Sequence, residues 1–343
     1  MPRDSAATPS RNGSSDGLEG SSGPRQLATR LEPSTTAHVT VEDGTRIYFE
    51  TFSGERKSGS RSADRVPVLL LMGLGANGRL WAPAARRCLA AGFDVITIDN
   101  RGCGRSDTPW LPWTTRTMAT DAITVLDELG VEQAHVCGAS LGGMVAQEVA
   151  LEFPERVSKL VLACTTGGFP RLDLAPRRGL LDIAGGALRS LWPGGDDAER
   201  VSHFVRMVAS EEFSEEIRPG DETWDSVEAM LEDPTPPRGY ALQLLAAMRH
   251  STWSRLGELS MPVQVHHGTD DRLMPFENGR QLVQHIPNAR FVIHHGAGHA
   301  LFECTEEVAE RQLAFLSERE APASTRARDA KRSPSTETRP GDG

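Results

Sequence analysis

No apolar run in this chain of 343 residues approaches the roughly 20 residues that span a bilayer. The N-terminus also lacks the apolar core of a secretory signal. A cytoplasmic protein without a membrane partner is therefore expected. Cysteine is scarce and badly spaced for structural work. There are five, an odd number, at 88, 103, 137, 164 and 304, with no C-x-x-C pair. That argues against a disulfide framework or a zinc site and for reduced thiols. Positive charge is in deficit, with 37 Lys plus Arg against 47 Asp plus Glu, a net charge of −10. A nucleic-acid ligand is excluded on that balance, because phosphate binding rests on a basic surface. Lysine itself is nearly missing, since 34 of the 37 basic residues are Arg. No G-x-x-x-x-G-K-[ST] occurs, so the glycine-rich loops do not read as P-loop phosphate cradles.

Both ends lack aromatic residues. Residues 1–36 hold seven Ser, four Gly and four Pro, and 320–343 hold nine charged residues. Neither segment can bury enough apolar surface to offset its chain entropy, so both are expected to be disordered tails. The foldable part is 37–319.

That part alternates strands and helices. Six short apolar runs, Pro67–Met72, Phe93–Asp99, Ala134–Gly138, Lys159–Cys164, Pro262–His267 and Ala289–His294, are mostly continuous in Val, Ile and Leu. Continuous rather than alternating runs mark parallel strands covered on both faces. Ahead of them, Ala37–Glu42 and Thr45–Phe52 flank Asp43-Gly44, a hairpin signal. Helical stripes run from Met118 to Leu129, from Leu141 to Ala150 and from Ala309 to Leu316. The pattern predicts an α/β fold with a mostly parallel sheet. It breaks once, at about 168–258. There, stripes beginning at Leu180, Val201, Trp224 and Tyr240 predict a helical insertion that shapes a pocket over the strand ends.

The chemistry concentrates at three strand ends. Ala134–Gly143 contains G-x-S-x-G, with Ser140 between Gly138 and Gly142, strand before and helix after. Such a turn must be very tight to aim a hydroxyl outward, and side chains flanking it would collide. A serine needs a base, and the base needs an orienting acid. Asp270 and Asp271 follow the fifth run, and only one of them can face a histidine. His294, His295 and His299 follow the sixth. His299 comes after Gly296-Ala297-Gly298, a turn able to carry it over the serine, whereas His294 and His295 read as structural imidazoles at the strand end. Adjacent strand residues face opposite ways, so neither His266-His267 nor His294-His295 makes a metal chelate. Cys137 precedes the turn in a strand and reads as a buried, inert thiol. Cys103 has no histidine placed to activate it.

These features, with Met72-Gly73-Leu74-Gly75 after the first run and Asp99-Asn100-Arg101-Gly102-Cys103-Gly104-Arg105-Ser106 after the second, resemble the α/β-hydrolase superfamily across 37–319. The resemblance implies an eight-stranded, mostly parallel sheet with helices on both faces and a helical cap. It implies a triad of Ser140, Asp271 and His299, with the acid at Asp271 from the pattern G-x-x-D. It implies an oxyanion hole of the Leu74 and Leu141 backbone N–H groups. Met72 stands where the family usually has His, a change that leaves backbone donors in place. Serine at the elbow separates the chain from the dehalogenase-like and epoxide hydrolase-like branches. The nearest subfamily likeness is to aclacinomycin methylesterase-like and 3-oxoadipate enol-lactonase-like hydrolases. The expectation is hydrolysis of a small hydrophobic ester, without metal or cofactor. Lactone or carbon–carbon cleavage, haloperoxidase-like chemistry and a non-catalytic ligand sensor are the alternatives. Trp81, Trp192 and Trp224 are the aromatic candidates for the pocket wall. Arg171, Arg177 and Arg178 are candidates to meet a substrate carboxylate, though a solvated surface suits them better.

Overall fold

The apolar runs become strands because Val, Ile and Leu pack well on a pleated surface covered from both sides. The computed structural model describes residues 31–54, 66–173, 181, 185, 196–301 and 305–318. Strand β1 (Thr35–Thr40) and β2 (Arg46–Phe52) pair antiparallel around Asp43-Gly44, with Gly44 at φ 82°. The first strand begins two residues before the expected tail boundary, because Thr35 and Thr36 pair with Thr51 and Glu50. Next come β3 (Val68–Leu71), α1 (Ala82–Ala90), β4 (Val95–Ile98), α2 (Thr115–Glu128), β5 (Ala134–Ala139), α3 (Leu141–Glu152) and β6 (Val157–Ala163). The helical insertion follows with α4 (Asp197–Val208), α5 (Glu211–Glu216), α6 (Glu222–Leu231) and α7 (Pro237–Met248). The chain closes with β7 (Val263–Gly268), α8 (Phe276–His285), β8 (Arg290–His294) and α9 (Thr305–Ser317). The insertion stripe starting at Leu180 and the expected tails, apart from residues 31–36, lie outside the described residues.

The eight strands form one sheet in the order β1-β2-β4-β3-β5-β6-β7-β8. All pairs from β4 to β8 are parallel; β1 and β2 are joined antiparallel at one edge. All residues of β3 and β4 are buried, as two-sided coverage requires. On one face, Met118, Leu126, Val145, Val149 and Leu282 bring α2, α3 and α8 onto Leu69, Val136 and Leu160. On the other, Ala85, Cys88, Phe315 and Leu316 bring α1 and α9 onto Leu70, Cys137 and Val161. Each fully buried aliphatic side chain contributes about 1.5–3 kcal/mol. Helix ends follow local chemistry. Thr114 and Thr117 form a reciprocal cap at the start of α2, and Gly130 at φ 64° follows its end. Among the described residues, no helix is long and apolar enough to cross a membrane.

Parallel pairing sends the C-terminal ends of β3 to β8 to one edge of the sheet. The loops carrying the sequence motifs therefore meet there, which is where open α/β sheets place ligands.

Candidate active site

The turn after β5 is tight and strained. Ser140 sits at φ 54°, ψ −120°, a conformation disfavoured for a side-chain-bearing residue. Its backbone is tied on both sides. Its N–H donates to Ala163 at 2.9 Å, and its carbonyl accepts from Thr165 Oγ1 at 2.7 Å and Gly143 N–H at 2.9 Å. The flanking glycines are sterically required. A Cβ on Gly138 would fall 2.2 Å from the Gly142 carbonyl oxygen, and one on Gly142 would fall 2.0 Å from that of Leu71.

The Met72–Gly75 loop leans directly on this turn, since a Cβ on Gly73 would lie 3.1 Å from Ser140 Cβ. Met72 is buried among Ala76, Leu80, Val201 and Trp224. The side chain that replaces the family's His thus packs against the insertion, and Asn100 Nδ2 donates to its carbonyl at 2.9 Å.

Asp271 and His299 meet across the β7 and β8 ends. His299 Nδ1–H donates to Asp271 Oδ2 at 2.8 Å, while Oδ1 accepts from the Leu273 and Met274 N–H groups at 2.9 and 2.8 Å. Burial alone would raise the Asp271 carboxyl. The adjacent His299, with hydrogen bonds from His267 and His299, outweighs it and holds the carboxyl below the usual range. Asp270 is exposed and its carboxylate accepts from its neighbour Thr269, so the two candidate acids separate cleanly. The sequence reading weighed His267 only as half of a metal pair that strand geometry disfavours. Its Nε2 donates to the Met274 carbonyl at 2.8 Å and lies 3.4 Å from Asp271 Oδ2. Gly279 on α8 makes room for this ring, since a Cβ there would reach 2.4 Å from Nδ1.

His294 is buried and its Nε2 pairs with His266 Nδ1 at 3.0 Å, with the rings stacked at 9°. Burial lowers both histidines, that of His266 to about 3. Their neutral pairing fits the structural role expected of His294, and His295 points to solvent. Among the described residues one group of three could ligate a metal: Cys164, Asp271 and His299, with donor atoms within 4.8 Å. Two of its members are already bonded to each other. Burial pushes the Cys88 thiol up to about 12 and raises Cys103 and Cys137 as well, so none of these three is a thiolate nucleophile at neutral pH.

Ser140 and His299 face one cavity of about 500 Å³, together with Leu74 and Leu141. Its wall is largely apolar, from Trp81, Phe169, Phe204, Met207, Leu244 and Met248. Of the three tryptophan candidates, Trp81 lines it and Trp192 lies outside the described residues. Trp224 does not line it: the apolar face of α6 turns Trp224 inward, against Val201, Val205 and Met72. Arg171 stacks near Trp253 and contacts His285 instead of the cavity; Arg177 and Arg178 are not among the described residues. Gln243 and Thr235 escaped the sequence reading, and Asn100 entered it only as part of a loop motif. A glutamine between Tyr240 and Leu244 on a buried helix face was the available signal.

A family model described as alpha/beta hydrolase fold matches residues 66–303. The chain belongs to this family. This hydrolase is 31% identical over 279 residues to a 2-hydroxy-6-oxononadienedioate/2-hydroxy-6-oxononatrienedioate hydrolase of Cupriavidus pinatubonensis, covering 78% of this chain and 90% of that one. It is 31% identical over 257 residues to a poly(3-hydroxyalkanoate) depolymerase of Ectopseudomonas oleovorans, covering 74% and 84%. Its fold matches the enol-lactonase of Burkholderia xenovorans LB400 with a TM-score of 0.67, at 22% identity, over 82% of this chain and all of that one. The three proteins carry the names of three different substrates, so the family likeness sets a hydrolase fold without fixing the substrate.

Proposed function

We propose that this hydrolase cleaves a carboxylic ester of a small hydrophobic substrate through an acyl-enzyme. The observation that carries the reading is the 2.8 Å Asp271–His299 hydrogen bond beside a strained Ser140, with serine and imidazole facing one apolar cavity. Because Nδ1–H is spent on Asp271, Nε2 of the neutral ring is the free base. Ser140 Oγ attacks the carbonyl carbon and passes its proton to Nε2. The oxyanion is met by the Leu74 and Leu141 N–H groups, each such donor contributing about 3–4 kcal/mol to the transition state. The tetrahedral species expels the alcohol, which takes the proton from His299. Water then attacks the acyl-serine, again with His299 as base, and releases the acid. The insertion would act as the cap that shapes the acyl and alcohol sites.

The wall favours an ester over a dianionic carbon–carbon substrate. Among the described residues, Arg87 is the one guanidinium on the cavity, and it is paired with Glu222 at 3.0 Å. A second carboxylate would find no unpaired cation there. Hydrolysis of p-nitrophenyl esters from acetate to octanoate, by wild type and Ser140→Ala in parallel, tests the reading. Saturable turnover lost in Ser140→Ala is expected. Turnover that survives the substitution refutes the nucleophile. A folded wild type that ignores esters but opens an enol-lactone refutes the ester assignment.

A further inference from the structure

The loop that would supply the first oxyanion donor is held by side chains of the insertion. Gly75 N–H donates to Gln243 Oε1 at 2.9 Å, and the Gly75 carbonyl accepts from Thr235 Oγ1 at 2.9 Å. Gln243 is fully buried, and its Nε2 donates to the Arg101 carbonyl at 3.0 Å. Thr235 Oγ1 also touches Cys103 Sγ at 3.0 Å. Gly75 itself lies at φ 72°, and a Cβ there would strike the Tyr240 ring at 2.8 Å. Helix α7 and the segment before it thus grip one glycine from both sides.

The grip has a directional consequence. Peptide planes are rigid, and in a trans peptide the C=O and N–H point opposite ways. The Met72–Gly73 plane is fixed by Asn100 at the Met72 carbonyl. The Leu74–Gly75 plane is fixed by Gln243 at the Gly75 N–H. Between them, the Gly73 carbonyl accepts from Ala76 N–H at 3.3 Å, so the Leu74 N–H must point the other way. The Gly75 N–H, being spent on Gln243, is not available to a substrate.

We infer that Gln243 and Thr235 are positioning residues that aim the Leu74 N–H at the developing oxyanion. The inference rests on the ester-hydrolase reading above. Neither residue touches the reacting atoms. Gln243 holds the Leu74–Gly75 plane beside the donor, and Thr235 holds the Gly75–Ala76 plane, whose Ala76 N–H anchors the Gly73 carbonyl. Because both belong to the insertion, the wall of the substrate cavity and the oxyanion hole form one unit.

The test compares Gln243→Leu, Thr235→Val and Thr235→Ser on p-nitrophenyl butyrate, with Ser140→Ala alongside. A displaced donor should lower kcat by about ten- to a hundredfold, less than outright loss of a donor, with KM within about twofold. The inhibition constant of an aryl trifluoromethyl ketone, which forms a tetrahedral adduct on a serine, should rise by the same factor. Butyrate inhibition, a ground-state readout, should not move. Thr235→Val should fall about tenfold and Thr235→Ser, which keeps the hydroxyl, should recover to within about threefold. A Gln243→Leu protein that melts like wild type yet keeps kcat and ketone affinity overturns the inference. So does a loss confined to KM and butyrate binding. If Gln243→Leu does not fold, the Thr235 pair decides: equal Val and Ser variants overturn it, and rescue by Ser supports it. Turnover persisting in Ser140→Ala would instead overturn the hydrolase reading beneath it.

Discussion

Replacing Asp271 by Asn probes the site without removing an atom. In the native structure Oδ1 accepts two backbone N–H groups and Oδ2 accepts His299 Nδ1–H. An asparagine has one oxygen. Placed at the Oδ1 position it keeps both backbone donors satisfied, while the reverse flip would face an NH₂ against two N–H groups. The amide nitrogen therefore takes the Oδ2 position and donates to His299. His299 Nδ1 must then be the acceptor, and its proton moves to Nε2. With Nε2–H the ring cannot take the serine proton. Loss of the correct tautomer in a Ser-His-Asp site costs about 10⁴ in kcat, or about 5.5 kcal/mol of activation energy. The assay is steady-state hydrolysis of p-nitrophenyl butyrate from pH 6 to 9, with thermal melting to show that the fold is intact. A folded Asp271→Asn enzyme within tenfold of wild type, while Ser140→Ala is inactive, would refute the assigned role of Asp271.

Three further predictions follow from burial and exposure. His135, His250 and His266 are buried, and desolvation lowers them from 6.5 to about 4, 3 and 3. Their folded values lie below their unfolded ones, so protonation favours the unfolded chain and stability falls as pH drops through 6.5. At pH 5.5 each withdraws about 1.4 kcal/mol, about 4 kcal/mol together. Urea midpoints at pH 8 and 5.5 measure this, and equal midpoints would contradict it. Trp224→Ala should cost about 3–5 kcal/mol by opening a cavity in the insertion's core. Met248→Ala, at a side chain 57% exposed on the cavity rim, should shift the preferred acyl length with little change in melting. The opposite pattern would mean that wall and core have been exchanged.

The backbone of the fold was legible because it rests on local signals. Unbroken runs such as Val68–Leu71 admit only two-sided burial, and Asp43-Gly44 admits only a hairpin. Ser140 stood out because Gly138 and Gly142 have no other reason to be glycine. The pairing of Asp271 with His299 is a matter of which side chain leaves the strand end at which angle, and adjacent aspartates conceal that. Trp224 misled for a similar reason. A tryptophan at helical spacing reads equally as wall or core, and only the rotation of α6 against α4 distinguishes them. What Gln243 and Thr235 bond was not legible, because those partners are backbone atoms some 160 residues away. Backbone has no sequence signature. The short helix α5 has too few apolar residues to show a period.

The contact between Gly239 and Gly102 sets a limit on how this enzyme can change. A Cβ on Gly239 would lie 1.9 Å from the Gly102 carbonyl oxygen, so α7 rests on bare backbone and has no room to slide. A graft that swapped this helix for a relative's would need to carry the glycine contact and the Gly75 grip together, or lose both. New substrate ranges are more cheaply reached at the rim, where the side chains of Phe169 and Met248 are 42% and 57% exposed. Variation accumulating there would diversify what is admitted while leaving the chemistry unchanged.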